Sequence, residues 1–556
     1  MKAEILKFAL QNAVQFNGKA NPGAVIGKII PLLSDKSKIP SVSKEVAAIV
    51  KEVNSLKLEE QKAKLAKLAP EMLEKKKGER RKLPPLKNAV KGKVVTRIPP
   101  EPSKYPHVGH ALSFLINYIY AKEYYGRSIL RFDDTNPMLA KKEYAEAIIE
   151  DLKFLQIKPD ATVYASNDLP KMYACAERLI KSGHAYICFC DREEMQQMRH
   201  EGHECTCRMK KIEKDLEEWK KMLRGEYQEG EAVLRLKANM KAGNYVMRDP
   251  VIFRINYAPH FLQGTKYKVW PMYDFESAYE DGTLGVTHIF RSIEFGEMRI
   301  ELQNRIQELL GLPRQTIVQY GRFNIVGSIT RGRLIREMID KGEMAGWDDP
   351  RLVTIRALKR RGIQPETFKE FAIEVGLSAT QTNIDWTVIA AINRKILDPI
   401  SGRYFFVKNP KKIIVKGAPK RNIELKLHPE REQKERKFSV GENFYIAEND
   451  FNEIREKDLI RLMDCLNFRK KGKEFVFDSL EVEKYRSGGK SIIQWLPADA
   501  TVQAEILMPD ASVARGLAEK NIESVKVGEV VQFVRFGFCR LEKKEKDKFS
   551  FIYTHN

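Results

Sequence analysis

Thr96-Arg97-Ile98-Pro99-Pro100-Glu101-Pro102-Ser103-Lys104-Tyr105-Pro106-His107-Val108-Gly109-His110 joins an apolar, strand-like segment, Lys93 to Ile98, to an apolar, helix-like run from Ala111 to Ala121. Four prolines keep the connection open where a strand hands over to a helix. In an open α/β sheet that position is the carboxyl end of a strand, where ligands bind. Two imidazoles three residues apart, close to a helix start, are suited to donate hydrogen bonds to phosphate oxygens. Gly109 lets a flat nucleobase or ribose approach the backbone, and the helix N-terminus favours negative charge. Alone, the two histidines would equally fit a zinc pair or a satisfied loop; the strand before and the helix after favour a nucleotide.

Working outward, a second strand, Ser128 to Phe132, ends in Asp133-Asp134-Thr135-Asn136-Pro137, again at a carboxyl edge. Adjacent acids there suit an ammonium group or a metal, or cap the following helix. Residues 165–270 read as a mixed α/β insertion, and strand character returns at Gly285-Val286-Thr287-His288-Ile289-Phe290. Residues 337–398 are helix-rich, with a basic helix expected from Leu352 to Arg361. Beyond residue 400 the apolar period shifts toward two, as in Tyr404-Phe405-Phe406-Val407, which predicts β-barrels. The first 88 residues read as an appended helical segment. One helix is expected from Val46 to Ala69, burying Val46, Ile49, Val53, Leu56, Leu65 and Leu68. The Lys-rich stretch from Glu74 to Lys82 fits an RNA contact or a solvated linker.

At 556 residues the chain exceeds a single core, and ordinary domain sizes predict roughly three to five domains. The formal charge of +22 favours a polyanionic partner, since each neutralised phosphate releases counterions. No run is apolar enough to span a membrane and no signal-peptide pattern opens the chain, so the sequence reads as cytoplasmic. Seven cysteines, four of them clustered, fit a reducing compartment and a metal site better than a disulfide framework.

Together these segments resemble the class I aminoacyl-tRNA synthetases, and within them the glutamyl/glutaminyl branch in its archaeal form. The resemblance rests on Arg97 through His110, Arg131 through Pro137, Trp270-Pro271-Met272-Tyr273-Asp274-Phe275, Gly285-Val286-Thr287-His288 and Trp347-Asp348-Asp349-Pro350-Arg351-Leu352. His107-Val108-Gly109-His110 is similar to the first class signature, written HIGH. The resemblance implies a multidomain α/β fold: a Rossmann-like class I catalytic domain with an α/β acceptor-binding insertion, a helical subdomain and C-terminal β-barrels. The expected divisions are 1–88, 89–164, 165–270, 271–336, 337–398 and 399–556. The implied reaction joins L-glutamate to ATP, with Mg²⁺ on the phosphates, and passes the glutamyl group to tRNA(Glu), with tRNA(Gln) as a further candidate acceptor. His107, Gly109 and His110 would bind the nucleotide. The second signature, KMSK-like in the family, matches Gly327-Ser328-Ile329-Thr330-Arg331-Gly332-Arg333. In one register Thr330 stands where Ser is usual and Arg331 where the catalytic Lys is usual; shifted by one, Gly332 takes the Lys position.

The resemblance also assigns the amino-acid pocket: Asp133 to the substrate ammonium, and Arg97, Tyr273 and Arg291 to its side chain. Glutamyl relatives carry Arg at the position of Arg291, and glutaminyl relatives a small residue. A guanidinium rewards a carboxylate by roughly 1.5–3 kcal/mol and is left unpaired by an amide. The competing expectation is that Arg291 pairs with Glu294 or Glu297. Cys188-Phe189-Cys190 and Cys205-Thr206-Cys207, fourteen residues apart, can close a tetrahedral Zn²⁺ site, with His200 or His203 able to replace a cysteine. Related enzymes carry such a zinc in the insertion, so a structural role is implied. Arg351 and Arg356 are candidates for RNA backbone contact. The alternatives are a glutaminyl-tRNA synthetase and a non-catalytic tRNA-binding relative, the latter motivated by the altered second signature.

Overall fold

The computed structural model of the chain describes residues 2–15, 18–30, 39–69, 72, 82–377 and 382–556. It divides into two units, residues 1–82 and 83–556. The stretch 73–81, which holds most of the Lys-rich segment, lies outside the described residues.

Among its described residues the first unit has four helices, α1 (Lys2–Gln15), α2 (Pro22–Ile29), α3 (Ile39–Asn54) and α4 (Leu58–Leu68). They pack around Ile5, Leu10, Val25, Val46, Val50 and Leu65. The single helix expected over 46–69 is therefore two, parted at Ser55-Leu56-Lys57. Gln61 braces the break: its buried amide donates to Val53 O at 2.8 Å, which the Leu56 amide also reaches, and to Leu56 O at 3.2 Å, where α3 ends. The Lys57 amide donates to Glu60 Oε2, which starts α4. Leu68, expected inside, is 44% exposed.

In the second unit β1 (Val95–Ile98), β2 (Arg127–Phe132) and β3 (Ala161–Tyr164) form a parallel sheet, crossed over by α5 (Val108–Glu123) and α6 (Lys142–Phe154). Gly126 makes the turn into β2 possible, because a Cβ there would lie 1.9 Å from Val94 O. The insertion contributes α7 (Leu169–Lys181), β4 (Ala185–Cys188), α8 (Arg192–Glu201), α9 (Ile212–Arg224), β5 (Val233–Leu236), β6 (Val251–Ile255) and β7 (Val269–Pro271). Its four strands form an antiparallel sheet in chain order. The chain then returns through α10 (Tyr273–Thr283), β8 (His288–Ser292), α11 (Gly296–Leu310) and β9 (Thr316–Tyr320). β8 pairs parallel with β9, and Thr287 bonds its amide to Val95 O at 2.9 Å, seating β8 beside β1.

β10 (Phe323–Ile325) pairs parallel with β11 (Thr382–Ile384), and between them lie α12 (Gly332–Asp340), α13 (Ile355–Arg360) and α14 (Pro365–Val375). The basic helix expected from Leu352 thus starts at Ile355, where Thr354 Oγ1 caps the Ala357 amide. After α15 (Trp386–Leu397) the chain is β-rich, with two seven-stranded sheets and a hairpin, Arg421–His428 with Arg431–Val440. One sheet has a core around Phe405, Phe444 and Trp495, the other around Phe406, Phe533 and Phe551. Among the described residues no helix is long and apolar enough to cross a membrane.

Candidate active site

The loop leaving β1 is pinned against the segment before α13: the Val108 amide donates to Val353 O and the Ile355 amide to Pro106 O, both at 3.0 Å. His107 caps α5, its Nδ1 accepting from the Gly109 amide at 3.0 Å, and His110 Nδ1 accepts from the His107 amide at 3.2 Å. With both Nδ1 atoms acting as acceptors, each ring carries its proton on Nε2, leaving one N–H donor per ring. Burial, reinforced by Lys104 and Arg322, lowers the His107 pKa to about 3. Burial, then His107 and Lys104, holds His110 well below the usual imidazole value. The rings lie 4.0 Å apart, centroid to centroid. A Cβ on Gly109 would sit 2.9 Å from His107 Cε1, so only glycine keeps this capping geometry.

At the ends of β1, β2 and β8 lies a buried ladder of charge. Arg131 grips Asp133 with Nε at 2.6 Å and Nη2 at 3.2 Å, and donates Nη1 to Asp281 Oδ1 at 2.7 Å. The same Asp281 oxygen accepts from Arg97 Nε at 3.0 Å. Burial alone would raise the Asp281 pKa, but Arg97 and Arg131, with Arg291 beyond them, outweigh it and hold the carboxyl below its ordinary range. Glu276 and Glu280, on the same helix, are both raised chiefly by burial, Glu280 to about 8, so that Glu280 is largely protonated at pH 7.

Arg291 is 4% exposed and makes one bond, Nη1 to Gln303 Oε1 at 2.9 Å; its Nε and Nη2 are buried without a partner among the described residues. Neither named competitor is its partner: Glu294 pairs with Arg322 at 2.8 Å, and Glu297 is exposed while the bond of Arg291 goes to Gln303. Burial, then the like charge of Arg97, lowers the Arg291 pKa. Tyr273, half-buried, is raised chiefly by burial against the influence of Arg291. Burial raises the pKa of Tyr320, on β9, with Ser113 of α5, one turn beyond His110, and Arg97 opposing it.

Of the adjacent acids, neither caps the next helix: α6 starts at Lys141 without a side-chain cap. Asp134 instead accepts from the amide and hydroxyl of Ser166, both at 2.8 Å, and burial raises its pKa to about 7. In the second loop Arg331 is exposed and stands as the N-cap residue of α12, while Thr330 is half-buried. Lys104 lies under it, 3.1 Å from where a Cβ on Gly332 would stand. Arg351 is braced by Asp349 and Arg356 by Glu150, so both proposed RNA contacts are paired within the protein.

In the insertion, the thiols of Cys188, Cys190, Cys205 and Cys207 lie within 4.8 Å of one another, Cys188 and Cys205 at 3.8 Å. A tetrahedron with bonds of about 2.3 Å has edges of about 3.8 Å, so the donor set fits Zn²⁺. His203 turns instead to Glu201. Arg235, buried, reaches Cys188 and Cys205 with Nη1 at 3.6 and 3.7 Å, a cation placed for the negative charge of a zinc–thiolate cluster.

Sequence reasoning missed Asp281, Gln303, Lys104 and Arg322. Tyr273, Ser277 and Asp281 recur every four residues, a helical face that leads from the assigned tyrosine to the buried acid. The same spacing joins Arg299 to Gln303.

The family model "tRNA synthetases class I (E and Q), catalytic domain" matches residues 93–399, and two models of the family's anti-codon binding domain match 401–483 and 492–542. The chain is 44% identical to the glutamate–tRNA ligase of Pyrococcus abyssi over 99% of both chains. It is 40% identical to that of Korarchaeum cryptofilum and 38% to that of Methanocaldococcus jannaschii, over the whole of each. A histidine-capped helix at a strand end, a buried arginine cluster and full-length similarity agree: this chain belongs to the class I tRNA synthetases, in the glutamyl and glutaminyl branch.

Proposed function

We infer that the chain is an ATP-dependent glutamate–tRNA ligase of the cytoplasm. The α-carboxylate of L-glutamate attacks the α-phosphorus of MgATP, the bond to pyrophosphate breaks, and glutamyl-adenylate forms. A hydroxyl of the terminal adenosine of tRNA(Glu) then attacks the activated carbonyl and AMP leaves. No protein nucleophile is needed; the work is alignment of two anions and stabilisation of charge on the phosphoryl oxygens.

The Nε2–H donors of His107 and His110 serve those oxygens, and Gly109 admits the nucleoside. Thr330 and Arg331 meet the departing pyrophosphate, with Lys104 as a further cation beneath the loop. Asp133 takes the substrate ammonium on lone pairs left over from Arg131, since a carboxylate has about four acceptor sites. Arg97, Tyr273 and Arg291 surround the side chain. Residues 89–164 and 271–336 are assigned to catalysis, 165–270 to the acceptor end, 337–398 to a helical support and 399–556 to the anticodon, with 1–88 appended. Zn²⁺ on Cys188, Cys190, Cys205 and Cys207 would supply a cross-link that fixes the insertion.

The observation that carries glutamate over glutamine is the charge count of the arginine cluster. Three guanidinium groups, Arg97, Arg131 and Arg291, share two paired carboxylates, Asp133 and Asp281, and the guanidinium of Arg291 retains two buried donors without a partner among the described residues. A substrate carboxylate answers both deficits; an amide oxygen can accept from the donors but leaves the charge unmet. The test offers purified tRNA(Glu) and tRNA(Gln), each with glutamate and with glutamine. Glutamylation of tRNA(Glu) is expected, and the glutamylation of tRNA(Gln) in the same assay defines the acceptor range. Failure of glutamate with every tRNA, or preference for glutamine, overturns the assignment.

A further inference from the structure

Gln303 meets Arg291 with a neutral oxygen where a carboxylate would be the ordinary partner for a buried guanidinium. Both residues are 4% exposed. The orientation of the Gln303 amide is set from behind: its Nε2 donates to Asp274 Oδ1 at 3.0 Å, so its oxygen must face Arg291. Asp274 is itself discharged by Arg299, Nη1 to Oδ2 at 2.8 Å, one turn before Gln303 on α11. The chain Arg299–Asp274–Gln303–Arg291 closes its ion pair at the far end and passes only orientation to the near end. Asp281, the other acid close to Arg291, has its Oδ1 shared by Arg97 and Arg131 and its Oδ2 facing the Ser277 hydroxyl at 3.4 Å.

We propose that Gln303 is a specificity-positioning residue: its amide, with polarity fixed by Asp274, holds the Arg291 guanidinium in place while withholding charge, so that the cation stays available to an anionic side chain. A glutamate at this position would hold Arg291 equally well but neutralise it, and a reversed amide would present N–H to N–H. The cost is a desolvated cation in the empty site, consistent with the lowered pKa of Arg291. That cost is relieved only by a ligand with its own negative charge, which makes it a source of discrimination. The proposal rests on Arg291 meeting the substrate side chain.

The test is steady-state charging of tRNA(Glu) by the full chain and its variants, with glutamate and glutamine as competing substrates. Gln303→Glu is expected to raise KM for glutamate at least tenfold and to lower the preference for glutamate over glutamine by a similar factor, with kcat at saturating glutamate and KM for ATP within about twofold. The double variant Gln303→Glu with Asp274→Asn removes carboxylate–carboxylate repulsion and is expected to keep the defect; rescue by Asp274→Asn would overturn the proposal. Asp274→Asn alone, which frees the amide polarity, is expected to raise KM for glutamate several-fold, and this variant decides if Gln303→Glu does not fold. Arg291→Ala separates the two levels. If it leaves KM for glutamate unchanged, the site assignment fails and the proposal with it. If it raises KM but neither Gln303→Glu nor Asp274→Asn does, the proposal alone fails.

Discussion

Asp281 Oδ1 lies 2.7 Å from Arg131 Nη1 in the buried floor beneath β1 and β2, and the same oxygen holds Arg97. One carboxylate from α10 therefore sets the orientation of an arginine from each strand, and through Arg131 that of Asp133. Asp281→Asn keeps an acceptor but removes the charge that two buried guanidinium groups face. Breaking a buried pair costs about 3–5 kcal/mol because the partner is left uncompensated. The variant is expected to lose about 3 kcal/mol in urea unfolding and to bind glutamate at least tenfold more weakly. Unchanged stability would show that the ladder does not constrain Arg97 and Arg131.

The two histidines make a prediction whose sign follows from their environment. Their folded pKa values are depressed, His107 to about 3, so both rings are neutral donors throughout the neutral range. No imidazole inflection near pH 6.5 is expected in the rate of ATP–pyrophosphate exchange. Removing one preorganised donor typically costs 10²–10³ in rate. His110→Ala should fall in that range, and His107→Gln, which keeps a neutral N–H donor, should retain more activity than His107→Ala. For stability, a depressed histidine pKa means that the unfolded chain binds protons first. Stability is therefore complete above pH 6.5 and is lost as pH falls from there toward 3. Ring titration followed by NMR checks both points; protonation of either ring at pH 6 in the folded protein would refute them.

How much of this was legible beforehand differs by element. The strand–loop–helix around His107 was legible because prolines, glycine and apolar runs act locally on the backbone, and β1, β2 and α5 appear within a few residues of their expected places. The break between α3 and α4 was not, because it is braced by Gln61 reaching back to carbonyls at the end of the preceding helix, a tertiary choice that overrides a continuous apolar period. The same holds in the site. Cys188 through Cys207 announce themselves by spacing. Asp281 and Gln303 are ordinary helix residues until folding brings Arg97, Arg131 and Arg291 from three strands against them.

The thiol cluster predicts bound metal. Protein as purified is expected to contain one Zn²⁺ per chain by elemental analysis, and Cys188→Ser or Cys205→Ser to lose it. Chelation should lower the melting temperature, because a zinc site formed only in the folded state contributes its binding energy to folding. Cys539→Ser, at a buried thiol in the C-terminal sheet away from the cluster, should leave the metal content unchanged. Metal-free protein with an unaltered melting temperature would reduce the cluster to four reduced thiols.

Asp151, on α6, gives a stability prediction independent of catalysis. It is 2% exposed, and its Oδ2 has no hydrogen-bond partner among the described residues. Burial raises its pKa to about 7, Glu150 adding to the effect while Arg356 and Lys359 oppose it. A carboxyl raised on folding holds its proton longer in the folded state, so the associated stability is full below the unfolded pKa near 4 and is lost as pH rises toward 7. Asparagine occupies the same volume and cannot ionise. Holding the carboxylate charged in the fold costs about 1.4 kcal/mol for each pH unit between the folded and unfolded pKa values. Asp151→Asn should therefore be more stable than the parent by about 2.6 kcal/mol more at pH 8 than at pH 5. Urea unfolding at the two pH values measures the difference directly. A gain of equal size at both would mean that asparagine helps by packing or hydrogen bonding, and that the Asp151 carboxyl does not carry a proton into the fold.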